Sequence, residues 1–306
     1  MFFQIKLKSN YKFIFMMIDL HLHSTASDGS DTPSQLINQA IDLKLKAIAI
    51  TDHDTISNLE EFLSIGELKE MIVIPGIEVS IRHEPKRELI DVHIIGLNID
   101  HNSIKLVNTI DNQIKGRLEQ KKAICKRLRD EFGYNISFEE VKSIAGSRVV
   151  GRPHIVEIMK KNNPDKVYGK SKDELFKMIS IGGSAFVDRD IELNLEESIE
   201  LISSVGGVPI LAHPGIYSVS NHKKFVEMCI KAGIKGIEVE YTYAKNRPYV
   251  GTDKSYWAQN YFPDYYKKIA EDYNLIKSGG SDYHGSKKDI IMGEAKVPDI
   301  YLKNII

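Results

Sequence analysis

The feature that most limits how this chain can fold is where its histidines and carboxylates sit. Asp19-Leu20-His21-Leu22-His23 lies in an apolar run, Met17–His23, that reads as a strand. Side chains two apart on a strand point the same way, so His21 and His23 share one face and Leu20 and Leu22 take the other. Asp28 follows in a glycine-containing loop. His53 and its neighbours Asp52 and Asp54 come directly after the apolar run Ala47–Ile50, and Glu78 closes the run that begins at Ile72. His93 lies in the run around Val92–Leu97. His213 follows Val208–Ala212, and Asp282 and His284 follow Leu275–Ser278 and Gly279-Gly280. A single His-x-His pair is weak evidence, because one buried histidine commonly just makes a hydrogen bond. Six of the ten histidines at strand ends is a different pattern, since barrel and open α/β enzymes place their chemistry there.

The segments between these strands predict helices. Thr32-Pro33 pairs a good N-cap with a residue suited to the first helical position, and Leu36, Ile37, Ala40 and Leu43 give an apolar face. A second helix is expected over Asn58–Lys69, and a further strand over Leu89–Leu97. Alternating strands and helices predict a parallel sheet with helical crossovers. From about Ser103 to Ser180 helix signals dominate: Ser137 with Glu140 and Ser171 with Glu174 have capping-box spacing, and Pro153 suits a helix start in Gly151-Arg152-Pro153-His154. The alternation then resumes, with helices over Leu195–Val205, Lys223–Lys231 and Tyr265–Tyr273 and strands over Val208–Ala212, Gly236–Tyr241 and Leu275–Ser278. The expectation is one α/β barrel-like domain, residues 17–100 and 181–306, interrupted by a helical insert at 101–180. Residues 1–16 are expected to be a disordered or misassigned extension, with the true start near Met16-Met17 and a signal or anchor as the alternative. Lys6, Lys8 and Lys12 break this stretch into pieces too short for a membrane span or a signal-peptide core.

Composition narrows the class. The 306 residues carry 41 Lys+Arg against 42 Asp+Glu, which excludes a global polycation and an acidic tail protein. Cys125 and Cys229 supply neither a disulfide framework nor a paired-cysteine zinc site, so a reducing, cytoplasmic setting is expected. Charge is unevenly shared: residues 101–180 hold 17 Lys+Arg and 10 Asp+Glu, a balance of +7, and the remainder carries −8. The insert is thus either a solvated helical surface or a basic cap that draws a polyanion toward an acidic metal site.

The candidate metal ligands are His21, His23, Asp28, His53, Glu78, His93, His213, Asp282 and His284. That is too many for one ion and suits two or three divalent ions sharing a bridging carboxylate. With no thiolate, the imidazole–carboxylate mixture fits Mn²⁺, Zn²⁺ or Fe²⁺ better than Mg²⁺. Asp52 and Asp54 are expected to support ligands or cap helices rather than bind metal. His83, His101 and His222 lie in polar stretches and are expected to be solvated. Tyr241–Tyr266 contains half of the 14 tyrosines, with Trp257 and Phe262. Such a segment is either an aromatic-packed loop over the barrel or a subunit contact, or a platform on which a base stacks.

The motifs DLHLHSTASDG, AITDHDT, PGIEVS, DVHIIGL, LAHPG and SGGSDYHG, in this order from Met17 to about Gly285, resemble the PHP family, named for polymerase and histidinol phosphatase domains. The resemblance implies a distorted seven-stranded (β/α) barrel with three metal sites. His21, His23, Glu78 and Asp282 would hold the first, Glu78 would bridge to a second completed by His93 and His213, and Asp28, His53 and His284 would hold the third. The insert carrying Gly151-Arg152-Pro153-His154 is similar to that of the stand-alone branch, which hydrolyses nucleoside 3′,5′-bisphosphates and trims short RNAs from the 5′ end. It implies Mn²⁺ as the leading cofactor and attack on phosphorus by a hydroxide bridging two ions, so that His21, His23, Glu78 and Asp282 act through the activated water. Arg152 and His154 would bind the substrate phosphate, against a surface ion pair and a helix-start hydrogen bond as their plain alternatives. The alternatives to a nucleotide or RNA substrate are another small phosphorylated metabolite and a non-catalytic, metal-stabilised module attached to a polymerase or nucleic acid. No motif for sequence-specific DNA reading is present.

Overall fold

A computed structural model describes residues 16–146, 149–245 and 254–306. The expected N-terminal extension, up to residue 15, lies outside the described residues. Eight strands form one sheet: β1 (Met17–Leu22), β2 (Ala47–Ile50), β3 (Ile72–Ser80), β4 (His93–Leu97), β5 (Val208–Leu211), β6 (Gly236–Tyr241), β7 (Ile276–Gly280) and β8 (Val297–Pro298), in the order β7-β6-β5-β4-β3-β2-β1-β8. The sheet curls until β1 meets the end of β7. There Asp282 N–H donates to His21 O and His23 N–H to Tyr283 O, both at 3.0 Å. Gly280 makes this closure possible, because a Cβ there would overlap the His21 backbone. Strands β1 to β7 make the wall of the distorted barrel that the sequence implied. The two-residue β8, too short to leave a sequence pattern, adds antiparallel to the start of β1.

The distortion is centred on β4. Four neighbouring pairs of barrel strands are parallel, but β4 runs antiparallel to both β3 and β5. The all-parallel expectation fails here because the link from Ser80 to His93 contains only a 3-10 turn, Pro85–Arg87, and no crossover helix. The strand expected over Leu89–Leu97 is shorter for the same reason and starts at His93. Reversal puts His93, the first residue of β4, beside Ser80 at the end of β3. His93 therefore reaches the strand-end rim from the N-terminal end of its own strand. A second departure lies in β1. Its register against β2 shifts between Asp19 and Leu22, and Leu20 and Leu22 pack into different apolar clusters instead of sharing one face.

Helices α1 (Pro33–Asp42) and α2 (Leu59–Leu68) connect the first strands, and α8 (Leu195–Ser204), α9 (His222–Ala232) and α10 (Lys254–Asp272) connect the last. Thr32 caps α1 through a capping box with Gln35, and Leu36, Ile37 and Ala40 are buried beneath it as the pattern predicted, but Leu43, expected on the same face, is the C-cap and is exposed. Between β4 and α8 come α3 (Ile104–Asp130), α4 (Phe138–Ala145), α5 (Arg152–Asn162), α6 (Pro164–Val167) and α7 (Lys172–Ile179), with no strand among the described residues. Both expected capping boxes form: Ser137 with Glu140 at α4 and Ser171 with Glu174 at α7. These helices share an apolar cluster of their own, including Ile124, Leu128, Val141, Ile155, Met159 and Leu175. No described helix is long and apolar enough to cross a membrane.

Candidate metal centre

Strand ends and the loops beside them bring all nine predicted ligands to one rim. The structure groups them into four overlapping sets whose ligand atoms lie within 4.8 Å of one another: His23, Asp28, His53 and His284; His21, His23 and Asp282; His21, Glu78 and His213; His53, Glu78 and His93. His21 Nε2 and His23 Nε2 are 3.1 Å apart, so the two imidazoles converge as predicted even though the strand around them is irregular. Glu78 lies at the centre and divides its oxygens. Oε1 faces His93 Nδ1 at 2.8 Å and His213 Nε2 at 2.9 Å. Oε2 faces His53 Nδ1 at 2.9 Å, His23 Nε2 at 3.3 Å and His21 Nε2 at 3.4 Å. Asp28 Oδ1 is 3.2 Å from His284 Nε2, and Asp282 Oδ1 is 3.2 Å from His23 Nε2.

The donor set fits divalent ions. His23 Nδ1, Asp28 Oδ1, His53 Nδ1 and Glu78 Oε2 are buried and, close as their neighbours stand, make no well-formed hydrogen bond among the described residues, an expensive arrangement for polar atoms unless a cation completes them. Burial alone would raise the Glu78 carboxyl, but the imidazoles of His53, His93 and His21 hold it well below the usual carboxylate range. Burial, with the imidazoles of His284 and His53, pushes His23 well below its ordinary value and leaves it neutral, as a ligand must be. His53 goes the other way: burial opposes its charge, yet Glu78 and Asp28 raise it to about 9. Two ligands hold strained backbone, His213 at φ 28° and Asp282 at φ 57°. Such conformations persist where the surrounding structure over-determines them.

A ring of residues to which the sequence assigned no role orients these side chains. Glu238, fully buried on β6, accepts from His21 Nδ1 at 3.1 Å and from His213 N–H at 2.7 Å, which leaves His21 Nε2 turned to the centre. Asp19 accepts from Ser281 N–H and Oγ and from Gly293 N–H, tying β1 to the loop that carries Asp282. Tyr217 Oη lies 3.0 Å from His213 Nδ1, and Tyr241 Oη donates to Asp282 Oδ2 at 2.7 Å, where Lys288 Nζ also binds at 2.8 Å. The available signal for Asp19 and Glu238 was a charged residue inside a strand with apolar neighbours. Asp52 and Asp54 play the expected supporting part. Asp52 accepts from Ser24 N–H and from the Ser24 and Ser27 hydroxyls; Asp54 accepts from Ser80 N–H and binds Arg117.

A PHP domain model matches residues 19–177. The chain belongs to the PHP domain family. Its relatives include a phosphoribosyl 1,2-cyclic phosphate 1,2-diphosphodiesterase from Eggerthella lenta, 29% identical over 88% of this chain and 95% of the relative. The 5′-3′ exoribonuclease Rnm of Escherichia coli is 28% identical over 90% of this chain and 87% of its own. A 3′,5′-nucleoside bisphosphate phosphatase from Chromobacterium violaceum is 27% identical over 87% of each. The fold matches a solved Bifidobacterium adolescentis structure described as a metal-dependent phosphoesterase, with a TM-score of 0.73, 24% identity and 95% coverage of both chains. This PHP chain is accordingly a metal-dependent phosphoesterase, and its rim has the side chains that divalent-metal hydrolysis requires.

Arg152 and His154 sit at the start of α5. Arg152 Nη1 donates to Ser180 Oγ at 3.0 Å and to Asp91 Oδ2 at 3.2 Å, and its side chain is 23% exposed. His154 is buried, and its Nδ1 accepts from Gly151 N–H at 3.0 Å. That bond leaves the proton of a neutral imidazole on Nε2, making that atom a donor. Three histidines depart from the expectation of solvation. His83 and His101 have side chains only 18% and 16% exposed, the first accepting from Asp91 N–H and the second facing Glu60; His222 packs against Tyr266. The aromatic segment divides. Tyr241, Tyr243, Phe262 and Tyr266 are buried and pack on one another, and the segment is helical from Lys254 onward rather than a loop. Tyr249, Tyr256 and Trp257 lie outside what the structure describes at side-chain level.

Proposed function

We propose that this PHP chain hydrolyses phosphate esters of nucleotides, with nucleoside 3′,5′-bisphosphates and the 5′ ends of short RNAs as substrates. The observation that carries this reading is the central Glu78, whose two oxygens serve separate groups of imidazoles. Two or three divalent ions, Mn²⁺ first, supply when bound a water acidic enough to attack phosphorus and counter-charge for the phosphoryl oxygens. His21, His23, Glu78 and Asp282 hold the first position, His93 and His213 extend it through Glu78, and Asp28, His53 and His284 hold the third. Arg152 offers a planar fork to phosphate oxygens, and His154 offers its Nε2–H. Residues 101–180 act as a basic cap on the barrel formed by 17–100 and 181–306, and draw the anionic substrate to the rim. A cytoplasmic setting suits the two buried free thiols, Cys125 and Cys229.

The test is phosphate release from adenosine 3′,5′-bisphosphate with Mn²⁺, wild type against His53→Ala. Loss of at least about 100-fold in the variant is expected for a ligand to an activating ion. Release that is equal in the two proteins overturns the third position. A second reading, a small phosphorylated metabolite as substrate, is favoured by the likeness to the cyclic-phosphate diphosphodiesterase. No release from the bisphosphate, with release from a ribosyl phosphoester, would select it.

A further inference from the structure

The outer end of the helical insert carries an aromatic ring in open solvent beside cations that no carboxylate holds. Helix α5 packs against α6 and α7. Arg152, the first residue of α5, donates to Ser180 Oγ just past the last residue of α7, so the two helices run in opposite directions. Arg152 also binds Asp91, two residues before His93, which puts this end of the pair at the rim. The other end of the pair holds α6 and a turn. Val167 O accepts from Lys170 N–H at 3.0 Å, Tyr168 has φ −54° and ψ 130°, and Gly169 has φ 76°. These are the marks of a type II β-turn, with glycine where φ must be positive. Tyr168 stands at the tip and is 90% exposed. The turn is fastened from below: Lys166 Nζ donates to Phe132 O at 2.6 Å and to Gly133 O at 2.9 Å, and lies 5.2 Å from the centre of the buried Tyr134 ring.

Charge at this end is one-sided. Residues 160–177 hold six lysines and three carboxylates, and one of the three, Glu174, is occupied by the N–H and hydroxyl of Ser171. Lys170 and Lys172 are exposed, and among the described residues no carboxylate lies within 4.0 Å of either ammonium. Lys170 Nζ reaches the Tyr134 hydroxyl at 3.5 Å, and Lys172 Nζ lies 5.7 Å from the centre of the Phe176 ring. On α3, by contrast, Lys126 and Arg129 pair with Asp130, and Arg127 pairs with Glu131. Free ammonium groups beside an unpacked aromatic ring suit single-stranded nucleic acid, whose backbone meets the charges while a base stacks on the ring. The distance suits it too. Helix α5 has 11 residues, so at 1.5 Å per residue the turn stands roughly 16 Å from the rim end. A stacked strand rising about 3.4 Å per nucleotide covers that span in about five nucleotides. Lys177, exposed in the last turn of α7, lies between the two ends.

We propose that Tyr168, Lys170 and Lys172 form a second contact surface, at the outer end of the insert, for the body of a single-stranded RNA whose 5′ end lies at the rim. Tyr168 stacks on a base, and the two lysines meet the phosphodiester backbone. The surface is separate from the side chains that gather at the rim, and a nucleoside bisphosphate is too short to touch both. Strands longer than about five nucleotides therefore gain a contact that shorter ones lack. This inference rests on the RNA half of the proposed function.

The experiment compares 5′-phosphorylated oligoadenylates of about 12 and about 3 nucleotides, one longer and one shorter than the span, with adenosine 3′,5′-bisphosphate as reference. KM is read on the Mn²⁺-loaded wild type, Tyr168→Ala, Tyr168→Phe and the double variant Lys170→Gln with Lys172→Gln. Kd is read by fluorescence anisotropy on the same proteins with hydrolysis stopped by a chelator. Tyr168→Ala is expected to raise KM and Kd for the longer RNA about tenfold, the scale of a lost base–aromatic stack, and Tyr168→Phe to keep the wild-type values. Loss of the two lysines should flatten the slope of log Kd against log salt by about 1.4. The shorter RNA and the bisphosphate should be unchanged throughout, and because Tyr168 is almost unpacked its variants should keep the wild-type Tm. A wild type that binds the longer RNA no more tightly than the shorter one overturns the surface. So does a longer RNA indifferent to Tyr168→Ala, or equal weakening of all three ligands. Length-dependent binding that these variants abolish, without turnover of any RNA by the wild type, would uphold the surface and count against the proposed hydrolysis.

Discussion

The metal rim and the helical insert both collect charge, and they do so by different physical means. At the rim, six of the strands bring imidazoles and carboxylates to one end of the barrel, and the closed sheet fixes where those ends lie. Under the insert, Arg117 and Lys121 come from one helix face, Arg152 from the start of another helix and Arg189 from an irregular segment. Signs differ as well. Glu78 is held ionised by the imidazoles around it, whereas Glu192 is pushed toward its neutral form by burial. One part gathers buried imidazole and carboxylate ligand atoms, and the other gathers cationic side chains around few carboxylates. Variants in the two should therefore fail differently.

The most damaging change is His53→Ala, which should lower bound metal by elemental analysis together with activity. Next is Glu238→Ala. It leaves His21 and the His213 N–H without their acceptor, and metal affinity should fall about 10–100-fold in a titration. Glu238→Gln keeps an acceptor oxygen and should recover part of that loss. Full metal content in Glu238→Ala would break the division at its rim end. Arg152→Ala should raise KM for the bisphosphate about tenfold while bound metal stays at the wild-type level. A loss of metal in that variant would merge the two regions into one.

The smallest effect is a slope. The Glu192 carboxyl is raised from 4.5 to about 7, chiefly by burial and also by Asp54, against the lowering pull of Arg189, Lys121 and Arg117. Its folded pKa lies above its unfolded one, so the stability it contributes is fully present below about pH 4.5 and is lost as pH rises through about 7. Thermal melts from pH 4.5 to 8 should fall more steeply for the wild type than for Glu192→Gln. Parallel curves would show that Glu192 is ionised and paired throughout.

Much of the rim was legible in the sequence because strands give a strict relation between position and place. An imidazole a few residues past an apolar run, such as His53 or His213, must lie at the strand's end, and all nine candidate ligands reach the rim. His93 reaches it for a reason the pattern did not contain. It begins its strand rather than ending it, and the missing crossover helix reverses β4 and returns the residue to the same rim. Glu238 and Asp19 were hidden because their partners, His21 with His213 and Ser281 with Gly293, are brought to them only by sheet closure. Tyr241 read as one of many aromatics in a crowded segment, and its bond to Asp282 depends on how β6 lies against β7. The cations under the insert were the least legible. Lys121 and Arg189 are far apart in sequence, and within a charged helix Lys121 looks like any solvated lysine until α3 is seen to turn it inward.

By itself the sequence determined the kinds of ligand atom, their places at strand ends, the helix caps and the family. These depend on local periodicity and on short motifs, which the chain carries whatever it packs against. Tertiary structure alone decided the direction of β4, the division of Glu78's oxygens between two groups of imidazoles, and the burial of Lys121 and Arg189. Those outcomes are set by which distant segments share a core, and that sharing follows from closing the sheet and laying α3 against it.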